Sequence, residues 1–500
     1  MQNETMPNFL LKRAFLTPNR TAVYFENQSV TFKELYHRSL ATAGQLQAIG
    51  VLKDQFVGVL LKNHLETVVI LFSLQLLGVK AVVLNNRLTT AELIWQLRDS
   101  KSSLLILEDS FAEVESEINK QLTELPTIMK KRLFEMEIEK AVTLDEISLS
   151  DTCTIMYTSG TTGNPKGVIQ TFGNHWWSSV GSALNLGTIE GDCWLCSVPL
   201  FHISGFSILM RSVIYGMPIV IHEHFDAERT IKDIHEKRIS VMSVVGIMLT
   251  QIIQALGERR LPDYFRCMLL GGGPAPLPLL QACVAQGVPV FQTYGMTETS
   301  SQIVTLSPED SLTKLGSAGK PLFPAQLKIE LQNGVIAQAG AAGEIIVKGP
   351  NVTRGYLYRP DATEEKFRDG WFYTGDIGYL DKDGFLYVVD RRSDLIISGG
   401  ENIYPAEIEA ILLAHPAVLE AGVTGVEDEK WGQVPIAFIV RKEGSHVSGE
   451  ELQHFCLNQL AKYKVPKSYY FTEKLPRNAA KKLLRRKLRE WVAGSEDSIR

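Results

Sequence analysis

Residues 157–167 read Tyr-Thr-Ser-Gly-Thr-Thr-Gly-Asn-Pro-Lys-Gly, directly after the apolar-leaning run Cys-Thr-Ile-Met at 153–156. A short strand that breaks into a glycine- and hydroxyl-rich loop presents bare backbone N–H groups and side-chain O–H donors. That is the chemistry of an anion cradle. The kinase-type phosphate loop is excluded, because no Gly-x-x-x-x-Gly-Lys-Ser/Thr spacing can be read here. A flexible surface loop is the plainer alternative. The density of hydroxyls, glycines and a Pro-Lys pair in one short stretch argues against it.

Working outward toward the N-terminus, Thr31 with Glu34 and Thr89 with Glu92 have capping-box spacing and predict helix starts. The run 68–84 splits into the end of a helix over 64–77 and a strand over 81–84. Further strands are expected at 56–61 and 104–107. Strands alternating with helical patterns predict βαβ units and a parallel sheet. Residues 109–150 are charged and weakly patterned, and read as a variable connection. Toward the C-terminus, a helix over 171–186 precedes strands at 193–198, 219–221, 241–245, 267–270 and 288–292. The last two run into Gly271-Gly-Gly-Pro274 and Tyr294-Gly-Met-Thr-Glu298. In open α/β sheets ligands sit beyond the carboxyl ends of the strands, so the loops near 157, 271 and 294 are expected to meet there.

From about 316 the texture changes to short alternating strands with Asn333-Gly334 and Asp383-Gly384 turns, which predict a small β-barrel or twisted sheet. Beyond 390 the pattern mixes strands and helices and closes on a basic run over 481–489. The fold class expected is α/β. A large N-terminal domain over 1–390 holds two α/β sheet lobes, 1–150 and 151–315, with a small β-barrel over 316–390. A smaller α+β C-terminal domain covers 391–500.

The length of 500 residues suits more than one domain. A hydrophobic share of 45%, a charged share of 21% and a net charge of −5 describe an ordinary globular chain with no global pull toward nucleic acid. No signal-peptide-like start and no membrane span are expected. The six cysteines lie at 153, 193, 196, 267, 283 and 456. Cys193 and Cys196 have Cys-x-x-Cys spacing inside an apolar strand and no partner pair, so a metal or redox role is disfavoured, as is a metal role for His222 and His224. A reduced, cytoplasmic protein fits this usage.

Four segments together resemble the AMP-forming adenylating superfamily of acyl-CoA synthetases, adenylation domains and luciferases. They are 157–167, Tyr294-Gly-Met-Thr-Glu-Thr299, Tyr373-Thr-Gly-Asp376, and 391–407 with Gly399-Gly-Glu-Asn-Ile-Tyr-Pro405. The resemblance covers nearly the whole chain. Further stretches are similar to the o-succinylbenzoate–CoA ligase family of menaquinone biosynthesis: Gly173-Asn-His-Trp-Trp-Ser-Ser179, Leu270-Gly-Gly-Gly-Pro-Ala-Pro-Leu-Pro-Leu-Leu280, Ser301-Gln-Ile-Val-Thr-Leu-Ser307 and Lys314-Leu-Gly-Ser-Ala-Gly-Lys-Pro-Leu-Phe323. Another aryl- or medium-chain acyl-CoA ligase, a carrier-loading domain and a non-catalytic relative are the alternatives.

The resemblance implies ATP, Mg²⁺ and CoA as cofactor and co-substrates, with a small-molecule carboxylate, no nucleic acid, no membrane span and room for a homo-oligomer. It places Thr158, Ser159, Gly160, Thr161, Thr162 and Lys166 on the phosphates. Glu298 is placed on Mg²⁺ and Thr297 near the α-phosphate. Gly271, Gly272, Gly273, Tyr294 and Gly295 fall at adenine, and Asp376 with Arg391 at the ribose. The tail Pro476-Arg-Asn-Ala-Ala-Lys-Lys482 resembles a terminal Pro-Arg-Thr-x-x-Gly-Lys motif and puts Lys482 at the catalytic position, with Lys481 as rival. Gly399 and Gly400 would line the CoA tunnel, and His202 would border the acyl or thiol channel. The implied C-terminal domain is mobile about a hinge at Ser393 or Asp394. For the acyl pocket, Trp176, Trp177, Ser204, Thr299, Ser300 and Ser301 are candidates by proximity, and no arginine stands out in the sequence for a second carboxylate.

Overall fold

The computed structural model describes residues 4–158, 165–391, 394, 396–398, 401–403, 405–428, 431–460, 462–477 and 483–493. Both expected capping boxes form. The Thr31 hydroxyl accepts from the Glu34 N–H at the start of helix Phe32–Ala48, while the Glu34 carboxylate accepts from the Thr31 N–H. Thr89 and Glu92 repeat this at Thr90–Ser100. Two further boxes were not expected: Ser448 and Glu451 cap Gly449–Leu457, and Thr171 and Asn174 cap Phe172–Leu186, with asparagine replacing the usual Glu or Gln.

Among the described residues the larger sheets differ from two lobes contiguous in sequence. A six-stranded sheet runs in the order Lys166–Thr171, Thr152–Thr158, Lys80–Val83, Phe56–Leu60, Leu104–Leu107, Thr127–Met129. A nine-stranded sheet carries Lys320–Pro321, Ser301–Leu306, Val290–Met296, Cys267–Gly271, Val241–Val245, Trp194–Cys196, Ile219–Ile221, Thr21–Phe25 and Gln28–Thr31. The first lobe thus receives the two strands around the 157–167 stretch, and the second receives the first hairpin of the chain. Each apolar strand is buried on both faces wherever it joins, so its own composition does not select its sheet. The segment expected as a mere connection also contributes: Thr127–Met129 adds an edge strand, with Ile118, Ile128 and Leu133 buried, and Lys130 buried in ion pairs with Glu108 and Glu66.

Strands Gln326–Glu330, Gly343–Lys348, Phe367–Arg368, Trp371–Leu380 and Leu386–Arg391 form an antiparallel sheet. Strands Ile396–Ser398, Glu401–Ile403, Val418–Asp428, Gly432–Arg441 and Tyr469–Phe471 form a further sheet. Its own apolar cluster includes Ile396, Ile408, Val423, Ile439 and Leu452. No helix among the described residues is long and apolar enough to cross a membrane.

Candidate active site

Strands Thr152–Thr158 and Lys166–Thr171 are antiparallel, and Thr158 lies opposite Lys166. The 157–167 stretch therefore leaves and re-enters one sheet edge, a strand pairing that its glycine-rich sequence concealed. Ser159, Gly160, Thr161 and Thr162 lie outside the described residues, as do Ser393, Gly399, Gly400, Lys481 and Lys482.

Two neighbouring parallel strands of the nine-stranded sheet run into the other two stretches. Cys267–Gly271 runs into Gly272 and Gly273, whose φ values of +89° and +154° favour glycine. A Cβ at Gly273 would meet nothing within 4 Å, and at Gly271 only Thr293 Cγ2 at 3.8 Å. These glycines leave bare, open backbone against which a flat ring can lie. Gly295 is glycine for the opposite reason. A Cβ there would stand 2.1 Å from the Ser301 carbonyl, at a bulge where Val290–Met296 doubles back into Ser301–Leu306.

The tip of that hairpin carries Thr297 and Glu298. The Thr299 hydroxyl accepts from the Met296 N–H (2.9 Å) and lies 2.7 Å from the Ser301 carbonyl, so it closes the turn. This ties the Thr299 hydroxyl to the turn. The Thr297 carbonyl accepts from Gln170 Nε2 at 2.9 Å, and Gln170 Oε1 accepts from Thr154 Oγ1 at 2.8 Å. The Tyr356 hydroxyl donates to Glu298 Oε1 at 3.1 Å, and its ring lies 5.5 Å from Lys166 Nζ. Tyr356 thus brings together the lysine of the opening stretch and the glutamate of the hairpin tip. Burial first, then the Glu298 charge, raises the Tyr356 pKa, so the phenol stays a donor.

The Tyr294 hydroxyl donates to Asp376 Oδ2 at 2.8 Å. Asp376 sits opposite Arg391 on adjacent strands, so the Thr-Gly-Asp segment and the strand leading to Arg391 meet at Tyr294. His202 heads helix Ile203–Tyr215 without a side-chain cap bond, and its buried Nε2 has no hydrogen-bond partner. Burial, with Arg87 adding to it, lowers its pKa to about 4, so the ring is neutral at pH 7.

Sequence reading missed Arg211 on the same helix. It is 1% exposed, its Nη2 donates to Ser301 Oγ at 3.3 Å, and its Nε is buried without a partner. No carboxylate pairs with it among the described residues. Burial lowers its pKa, opposed by the nearby Tyr215 hydroxyl. Ser301 also accepts from Ser207 at 3.3 Å and holds φ at +103°, a strained value for serine. The signal available in the sequence was a lone arginine inside an apolar helical run. Nearby, the Ser300 hydroxyl and both ends of the Gln302 amide are buried without partners. Gln302, Trp177 and Asn351 line a cavity of about 10 Å³.

The six cysteines are free and buried, and burial pushes the Cys193 and Cys196 thiols up to about 12. His222 is paired with Asp233 at 2.8 Å.

A bare glycine shelf after Cys267–Gly271 and a carboxylate at the hairpin tip after Val290–Met296 suit a nucleotide. Residues 10–357 match the model of the AMP-binding enzyme family, and residues 407–482 match the AMP-binding enzyme C-terminal domain. The chain belongs to the AMP-binding enzyme family. Over 495 residues it is 56% identical to the 2-succinylbenzoate–CoA ligase of Geobacillus sp. (strain WCH70), covering 99% of each chain. The o-succinylbenzoate CoA synthetase from Bacillus subtilis, solved with its acyl-adenylate intermediate OSB-AMP, superposes with a TM-score of 0.92 at 51% identity, over 97% of this chain and 98% of that one. The same protein solved with ATP and magnesium ion gives 0.92 at 51% identity, over 97% and 100%.

Proposed function

We propose that this chain joins 2-succinylbenzoate to CoA with ATP, in the pathway to menaquinone. A carboxylate is a poor acylating agent, because its leaving group would be oxide. In the first half-reaction a carboxylate oxygen attacks the α-phosphorus of ATP, the bond to pyrophosphate breaks, and an acyl-adenylate forms. In the second, the CoA sulfur attacks the acyl carbon, its thiol proton is lost, and AMP departs. Both steps bring anionic groups together, so the protein's task is positioning and charge compensation.

In this reading Thr158 and Lys166, with residues 159–162, hold the β- and γ-phosphates. Gly271, Gly272 and Gly273 form the shelf for adenine, and Gly295 lets the neighbouring strand bulge beside Tyr294. Tyr294 fixes Asp376, which accepts from the ribose hydroxyls with Arg391 alongside. Thr297 meets the α-phosphate. Magnesium fits the donor set, since Mg²⁺ is commonly held by one or two carboxylates plus substrate phosphates. Glu298 supplies that carboxylate, and the ion's chemistry is to neutralise charge on the phosphates. Lys482 bridges the carboxylate and α-phosphate in the first step, Gly399 and Gly400 admit the CoA arm in the second, and His202 borders the acyl channel. Six free, buried thiols support a reducing, cytoplasmic setting.

The observation that carries the acyl substrate is Arg211. A fully buried guanidinium that donates to the Ser301 hydroxyl and lies 5.2 Å from the Trp194 ring, with no acid beside it among the described residues, is costly unless a ligand brings the anion. A dicarboxylate has one to spare: the alkyl-arm carboxylate is activated and the ring carboxylate meets Arg211 and Ser301. The test is pyrophosphate release across a panel of acids. 2-Succinylbenzoate is expected to lead, with 4-oxo-4-phenylbutanoate, which lacks the ring carboxylate, far behind. Turnover of benzoates or fatty acids with none of 2-succinylbenzoate overturns the assignment.

A further inference from the structure

Residues 351–359 connect the charged groups of the site. They run beside Lys166–Thr171. The Ile169 N–H donates to the Gly355 carbonyl (3.1 Å), the Leu357 N–H to the Gly167 carbonyl (2.8 Å), and Tyr356 bridges Val168 in antiparallel register. The Thr353 N–H donates to the Glu298 carbonyl at 2.7 Å, fixing the backbone of the hairpin tip. At the far end Arg359 pairs with Asp99, and Asp99 also accepts from the Tyr157 hydroxyl at 2.8 Å. One strap therefore touches the strand entering the 157–167 stretch, the strand leaving it and the turn bearing Glu298.

Tyr356 is the point where these contacts converge, and it is 7% exposed. Its hydroxyl meets the Glu298 carboxylate and its ring meets the Lys166 ammonium. An aromatic face attracts a cation and a phenol O–H attracts an anion, so one neutral side chain satisfies both without neutralising either. With a small side chain here, Lys166 and Glu298 would be free to close on each other as an ion pair. Neither would then be available to phosphate or metal. We propose that Tyr356 is a positioning residue that orients the Glu298 carboxylate for the metal and keeps Lys166 apart from it. The proposal rests on the roles given to Glu298 and Lys166 above.

Tyr356→Phe keeps the ring under Lys166 and deletes the hydroxyl. Mn²⁺, used in place of Mg²⁺, is titrated into enzyme saturated with a non-hydrolysable ATP analogue and followed by electron paramagnetic resonance. The expected result is Mn²⁺ binding weakened about tenfold, the scale of one charge-assisted hydrogen bond. Thioester formation from supplied acyl-adenylate is expected to stay at the wild-type rate. Tyr356→Leu, which also removes the ring, is expected to weaken binding of the ATP analogue itself. Glu298→Gln is measured alongside. If Glu298→Gln weakens Mn²⁺ binding and Tyr356→Phe does not, the positioning role is overturned and the metal assignment survives. If Glu298→Gln has no effect on Mn²⁺, the metal assignment falls and the proposal with it. Loss of both half-reactions in Tyr356→Phe also overturns the proposal, because a metal-positioning role touches only the first.

Discussion

Replacing Arg211 by methionine separates a substrate-reading arginine from a structural one, because the two roles predict opposite signs in the free enzyme. The guanidinium is 1% exposed and bonds the neutral Ser301 hydroxyl at 3.3 Å, with no acid paired to it among the described residues. Methionine fills similar length without charge. Exchanging buried charge for well-packed apolar groups is often neutral or stabilising by about 1–4 kcal/mol, so the melting temperature is expected to hold or rise. With a ring carboxylate bound the sign reverses. Removing one partner of a buried charge pair costs about 3–5 kcal/mol. At about 1.4 kcal/mol per tenfold, kcat/KM for 2-succinylbenzoate should fall about 10²–10³-fold. For 4-oxo-4-phenylbutanoate, which leaves the guanidinium unpaired in either enzyme, kcat/KM should be unchanged or higher. The assay is coupled pyrophosphate release with both acids, with scanning fluorimetry on the free enzyme. Equal losses on the two acids, together with a lower melting temperature, would refute the reasoning and make Arg211 a packing residue.

Lys482→Ala should abolish adenylation while sparing thioester formation from supplied acyl-adenylate, and equal loss of both half-reactions removes Lys482 from that role. Stability of the free enzyme should decline on acidification because of two buried histidines. Burial, with Arg211 adding to it, lowers His175 to about 3, and burial with Arg87 lowers His202 to about 4. Between these values and the ordinary value near 6.5 the unfolded chain binds more protons than the folded one. The contribution is therefore complete above about pH 6.5 and is lost as pH falls toward 4, at up to about 1.4 kcal/mol per pH unit for each ring. Denaturant unfolding of His175→Asn against wild type across pH 4–7 checks this, and an unchanged slope in the variant contradicts it.

Local chemistry was legible because it is written in contiguous residues. The Thr31–Glu34 and Thr89–Glu92 spacings specify their own helix starts whatever surrounds them. The strand Lys166–Thr171 escaped notice because its short apolar signal follows directly on a glycine-rich loop. The Thr171–Asn174 box escaped because asparagine stands where Glu or Gln is usual.

What the sequence by itself determined was the set of chemical groups and the alternation of strands and helices, since both depend on near neighbours. Which sheet each strand joins was decided only by the tertiary structure: Thr21–Phe25 crosses to the nine-stranded sheet and Thr152–Thr158 to the six-stranded one, because strands buried on both faces carry no label for their partners. The same holds for Arg211, whose meaning comes from having no acid paired to it among the described residues, and for Tyr356, whose meaning comes from touching both Lys166 and Glu298. Burial and the absence or presence of a counter-charge are properties of packing, and the 157–167 stretch acquires its partners only when distant segments close around it.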